Sequence, residues 1–210
     1  MESPHPNVER QWFALADRLA MNVAAATICW QALVDRYTQP HRHYHTLDHL
    51  AYMLGHAERL REQITDASAF WLAIFYHDAI YDPKRKDNEA ESARWAMGQL
   101  SAFTLSDSLL QRVVDQILAT QSHQPNPDAD TNLLLDIDLG ILGESRERYT
   151  AYTQQVRKEY SIYPTPIYRK GRKQVLQHFL DMPTIYNTPS FQATHEAAAK
   201  ANLAWELGTL

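Results

Sequence analysis

A chain of 210 residues, 45% hydrophobic and 21% charged, has the make-up of one ordinary globular domain with room for a sizeable core. A formal charge of -5 and a pI near 6.0 argue against bulk electrostatic binding to nucleic acid. The single cysteine, Cys29, excludes a disulfide framework and a cysteine zinc site. No apolar run approaches the roughly 20 residues of a membrane span, and the start Met-Glu-Ser-Pro-His-Pro lacks the parts of a signal peptide, so a cytoplasmic protein is expected.

The ten prolines fall between helical segments or in their first turns, where the missing N–H and fixed φ do no harm. No stretch alternates with period two, and no Asn-Gly or Asp-Gly hairpin signal occurs. The expectation is all-α. A first helix, about Val8 to Met21, places Trp12, Phe13, Leu15, Ala16 and Leu19 on one stripe. A second, about Ala24 to Tyr37, carries Ile28, Leu33, Val34 and Tyr37 inward and stops at Pro40. Arg42-His-Tyr-His-Thr-Leu-Asp-His49 then reads as a loop entering a helix capped by Thr46 or Asp48. That helix runs to about Gln63 on Leu50, Met53, Leu54, Ala57 and Leu60.

The segment Ala69 to Ala79 is apolar nearly all round and therefore buried. After the polar loop Tyr81 to Asp87, Asn88 caps a helix through Leu100 and Ser106 caps another through Thr120. An apolar helix Leu133 to Leu142 ends at Gly143, Ser145 opens one to about Tyr160, and two more follow at Ile167 to Asp181 and Phe191 to Leu207. Nothing divides the sequence, so one helical domain over 1–210 is expected, with a core at about 37–181 and the terminal helices against it.

Chemistry concentrates in three places. His41, His43, His45 and His49 lie within nine residues, and nearby imidazoles are hard to justify unless something electron-deficient is shared. His77-Asp78 ends the buried segment, where an ionised Asp needs a cation or hydrogen-bond donors. Asp136 and Asp138 interrupt the apolar Leu133 to Leu142 run. Two residues apart on a helix they point about 200° away from each other, so at most one faces a common site. A mixed imidazole and carboxylate set without thiolate suits Mn²⁺, Fe²⁺, Co²⁺, Mg²⁺, Ni²⁺ or Zn²⁺ with open positions. Glu89 and Asp82 are candidates for holding water or acting as a base. Arg42 and Arg157 are the cations expected to meet a substrate phosphate. Tyr44, Tyr81 and Tyr160 could stack on a base.

The pattern His49, His77-Asp78, Asp138 resembles the H…HD…D signature of the HD superfamily of metal-dependent phosphohydrolases. A small bacterial branch of it is matched further by Arg42-His-Tyr-His-Thr-Leu-Asp-His49, Tyr76-His-Asp-Ala-Ile-Tyr-Asp-Pro83, Asp87-Asn-Glu-Ala-Glu-Ser-Ala93, Ala119-Thr-Gln-Ser-His123, Asp136-Ile-Asp-Leu-Gly-Ile-Leu-Gly143 and Arg157-Lys-Glu-Tyr160. The resemblance covers about Tyr37 to Leu207. It implies an HD-type helical bundle in which His49, His77, Asp78 and Asp138 hold about one divalent metal per chain. Asp138 is chosen over Asp136 on this ground, which leaves Asp136 exposed or supporting the site from outside. His45 resembles the histidine that protonates the leaving oxygen in cyclic-nucleotide phosphodiesterases of the superfamily, and His123 is a fifth ligand or a phosphate contact. The implied activity is cleavage of a phosphomonoester or phosphodiester, nucleotides included, by metal-activated water. An HD-type di-iron oxygenase and a non-catalytic nucleotide-binding module are the alternatives.

Overall fold

A computed structural model describes residues 5–210, and among these it contains ten α-helices and no strand. They are α1 (Pro6–Arg18), α2 (Val23–Tyr37), α3 (Leu47–Arg59), α4 (Ala67–Tyr76), α5 (Asn88–Leu100), α6 (Asp107–Ala119), α7 (Ala129–Asp138), α8 (Arg146–Glu159), α9 (Thr165–Asp181) and α10 (Pro189–Thr209). The all-α expectation holds. Met1 to Pro4, on which part of the signal-peptide reading rests, lie outside the described residues. No helix of the described residues is long and apolar enough to cross a membrane.

The helix starts follow local chemistry. Asn22, Thr46, Ser106, Ser145 and Thr188 each accept a backbone N–H of the helix they precede, which satisfies donors that no carbonyl can reach. Pro6, Pro166 and Pro189 stand in first turns. Four boundaries differ from the periodicity. Asn88 is not a cap; its amide bridges the N–H and carbonyl of Asp82 and closes the preceding loop. α3 stops at Arg59 and a 3₁₀ turn covers Arg61–Gln63. α7 begins four residues before the apolar run and ends at Asp138, where Leu139–Gly143 tightens into a 3₁₀ turn. Ile28, expected inward, is 69% exposed, and Ala26, Cys29 and Trp30 take the inner face beside Leu33, Val34 and Tyr37.

The chain divides into two compact units between Leu134 and Leu135. In the first, α4 is the centre and lies against α3, α5 and α6. Every residue from Ala69 to Tyr76 is buried, and Trp12 meets Phe75 edge-on at 5.2 Å and Tyr76 at 6.1 Å. Each such large side chain contributes about 1.5–3 kcal/mol by leaving water. Asp66 caps α4 through the N–H groups of Ser68 and Ala69. The buried Asp130 carboxylate accepts the two N–H groups before them, Thr65 at 2.9 Å and Asp66 at 2.7 Å. Thus the N-terminal end of α4 is fixed, and its C-terminal end delivers His77 and Asp78.

The second unit holds α8, α9 and α10 around the Leu139–Gly143 turn. Asp136 corrects its sequence reading. It is fully buried, and its carboxylate accepts from the Asn187 and Thr188 N–H groups, each at 2.7 Å, and from the Thr188 hydroxyl. That is a cap on α10, made by a carboxylate 51 and 52 residues upstream of the two N–H groups it holds.

Candidate metal centre

His77 follows the last residue of α4 and keeps a helical backbone, φ -57° and ψ -40°. Its Nδ1 lies 2.9 Å from the Ile74 carbonyl. A carbonyl only accepts, so Nδ1 carries a proton and Nε2 is the ring nitrogen left to face the other side chains. That Nε2 stands 3.1 Å from Asp78 Oδ2 and 3.3 Å from Nε2 of His49. His49 sits in the first turn of α3, started by the Thr46 cap, and its Nε2 is 3.8 Å from the same Asp78 oxygen. The two imidazoles are 1% exposed and the carboxylate 15%.

Three donor atoms thus form a triangle with sides of 3.1, 3.3 and 3.8 Å. Ligands held about 2.0–2.2 Å from one ion at angles of about 90–120° lie roughly 2.8–3.8 Å apart. A proton on His49 Nε2 would serve one of these approaches at a time; a cation serves all three. His49 and His77 are accordingly side chains able to hold a metal ion, and the donor set fits a divalent one.

His45 borders the triangle without joining it. Its Nε2 is 4.0 Å from Asp78 Oδ2, and its ring stacks on Tyr81 at 4.2 Å. Tyr81, weighed in the sequence as a base-stacking residue, here packs its ring against His45. His41 is exposed and its Nε2 lies 2.9 Å from the Tyr81 carbonyl; His43 is exposed. The structure therefore brings His45, His49, His77 and Asp78 together from the α3 entrance and the end of α4. Asp138 is the last residue of α7, half-buried, in the second unit.

The two arginines expected to meet phosphate are engaged elsewhere. Arg42 is buried, and its guanidinium donates to the carbonyls of Asp78 at 2.7 Å, Ala79 at 2.9 Å and His45 at 3.1 Å. Burial explains this, because five N–H donors taken out of water require acceptors. Arg157 donates to the carbonyls of Tyr160 and Tyr163 beyond α8 and lies over the Tyr168 ring. Asp82 accepts the Lys84 N–H and belongs to the loop. Glu89 stands half-buried in the first turn of α5. His123, with φ 52°, returns its N–H to the Ala119 carbonyl and ends α6, a left-handed position that histidine occupies more readily than most residues.

Sequence reasoning missed Ser92. Its hydroxyl is buried in α5 and contacts both the N–H and the carbonyl of Ile80, just past Asp78. A small polar residue among Ala93 and Ala96 was its only signal. Set against known proteins, the chain matches no family model, no curated protein and no solved structure.

Proposed function

We propose that the chain is a divalent-metal-dependent phosphohydrolase acting on a phosphomonoester or phosphodiester, with nucleotides among the candidate substrates. The observation that carries this reading is the convergence of His49 Nε2, His77 Nε2 and Asp78 Oδ2 within 3.8 Å. The resemblance to the HD superfamily supports it and adds Asp138 as the fourth ligand. Mn²⁺, Fe²⁺, Co²⁺, Mg²⁺, Ni²⁺ and Zn²⁺ all accept nitrogen and oxygen donors, and one ion per chain is expected. Such an ion, when bound, polarises a phosphoryl oxygen and activates water near neutral pH.

The chain's own residues supply the rest. The Ile74 carbonyl holds His77 in the tautomer that offers Nε2. His45, held by Tyr81 just outside the triangle, is the group to protonate the leaving oxygen. Glu89 and His123 are retained as candidates for orienting water and phosphate.

Metal analysis of the purified protein, before and after Asp78→Ala, tests the reading. About one ion per chain is expected, lost in the variant together with hydrolysis of p-nitrophenyl phosphate, bis(p-nitrophenyl) phosphate or members of a nucleotide panel. Full metal content in Asp78→Ala would overturn the site. A metal-loaded protein inert to the whole panel would overturn the activity, and two irons per chain would move the reading to oxygen activation.

A further inference from the structure

We propose that Arg42 is a positioning residue that fixes the Asp78 ligand relative to the His45–His49 segment; this rests on the metal-dependent reading above. The backbone just past α4 is held by side chains to an unusual extent. The carbonyl of Ile74 accepts from His77, that of Phe75 from the Tyr37 hydroxyl, that of Ile80 from Ser92 and that of Asp82 from Asn88. Helix ends leave carbonyls without intrahelical donors; in the last turn of α4 those of Ala73 and Tyr76 accept the His77 and Ala79 N–H groups, while those of Ile74 and Phe75 are met by side chains.

Arg42 differs from the other donors in what it connects. Its Nη1 reaches the Asp78 carbonyl at 2.7 Å and the His45 carbonyl at 3.1 Å, and its Nη2 reaches the Ala79 carbonyl at 2.9 Å. One planar group therefore binds the peptide units on both sides of the Ala79 Cα and, with them, the loop that leads into α3. Because a guanidinium is rigid, the spacing between those carbonyls is fixed by its fork. The Cα–Cβ direction of Asp78 is tied to the peptide plane that Arg42 holds through the Asp78 carbonyl, so the carboxylate is aimed through its backbone. The side chain is itself anchored: Nε lies 3.3 Å from Gln39 Oε1, and the guanidinium sits over the Tyr37 and Tyr81 rings at 5.1 and 5.5 Å. Lysine at this place keeps the charge and one or two hydrogen bonds, but it cannot span the three carbonyls as a fixed fork.

Titration of the protein with Co²⁺, followed by its visible absorption bands, tests the role. Arg42→Lys should still bind about one ion per chain, with affinity lowered roughly 10- to 100-fold, the range seen when groups that orient ligands are altered, and with shifted bands. Val113→Ala, in the buried face of α6, provides a variant of reduced thermal stability away from these contacts. It should retain the original bands and affinity. Unaltered affinity and bands in Arg42→Lys would overturn the proposal, as would an equal loss in Val113→Ala. Should Arg42→Lys not fold, Gln39→Ala removes only the Nε contact and must show the same band shift at smaller size; an unshifted spectrum overturns the role. Failure of the unaltered protein to bind cobalt would overturn the metal reading itself, and this role with it.

Discussion

His49 and His77 present their Nε2 atoms to each other at 3.3 Å with neither side chain more than 1% exposed. Burial of facing imidazoles beside a carboxylate costs free energy that a bound cation returns, so the folded chain should be stabilised by metal. Dialysis against a chelator should lower the melting temperature. Restoring the preferred ion at a hundred times its Kd should return about 2.7 kcal/mol, or roughly 5–10 °C for a chain of this size. Thermal unfolding with each of the six candidate ions checks this, and six null shifts would contradict it.

His45 lies 4.0 Å from Asp78 Oδ2 and is clamped face-on by Tyr81 at 4.2 Å, close to the proposed ligands yet outside their triangle. His45→Gln should therefore retain metal while slowing turnover. The loss should be about 10²–10⁴-fold for alkyl phosphate esters, whose leaving oxygen needs a proton. It should be far smaller for p-nitrophenyl esters, which leave as stable anions. Equal loss on both substrates would remove the acid role.

The helices were legible because their signals are local. Thr46, Ser106 and Ser145 stand before their helices, and the prolines mark breaks within a few residues. The grouping of His49 with His77-Asp78 was also readable, since a buried apolar helix ending in an imidazole and a carboxylate demands a partner. What failed depended on distant backbone. The role of Asp136 is set by the start of α10, and that of Arg42 by carbonyls 36 and 37 residues away. Neither arginine 42 nor arginine 157 differs by type from one that binds phosphate; only the carbonyls around them decide. Ile28 misled because an apolar residue on an exposed face carries no mark of its position.

Gly143 and Gly98 predict opposite outcomes. A Cβ on Gly143 would stand 2.6 Å from His195 Cβ, 2.9 Å from its carbonyl oxygen and 3.0 Å from its Cα. Those atoms belong to the interior of α10 and cannot step aside, so Gly143→Ala should cost about 1–3 kcal/mol. On the exposed face of α5, Gly98 has nothing within 4 Å of the added methyl, and Gly98→Ala should stabilise by about 0.5–1 kcal/mol through helix propensity. Urea unfolding of the two variants checks the pair; a neutral Gly143→Ala would mean that α10 yields more than this packing allows.

In the second unit, Arg172 grips Glu206 with two hydrogen bonds, Nε to Oε1 at 2.8 Å and Nη2 to Oε2 at 2.9 Å, while Tyr149 donates its hydroxyl to Oε2. Burial, and then the Glu206 charge, push the Tyr149 hydroxyl up, so it remains a donor. The pair is nearly dry, with side chains 9% and 5% exposed. Arg172→Met leaves the Glu206 charge buried without its partner and should cost about 3–5 kcal/mol. Adding Glu206→Leu should recover most of that loss, because the desolvated charge goes with it. Denaturant unfolding of both singles and the double variant measures the coupling, and simple addition of the two losses would contradict it.

Cys29 is 3% exposed, and its thiol lies 3.8 Å from the Gln99 carbonyl. Burial pushes the thiol up, opposed in part by the Tyr76 hydroxyl. A folded-state value above the unfolded one, about 8.5, means that the unfolded chain releases its proton first as the pH rises. The thiol's contribution to stability is therefore complete below that value and declines from there through the folded value. Since the thiolate is the reactive form, alkylation of the native protein at pH 8 should be slow and governed by opening of the α2–α5 contact. A reagent titration with and without denaturant checks this: labelling of the folded protein at the rate of a free thiol would show that Cys29 is not held as the geometry requires.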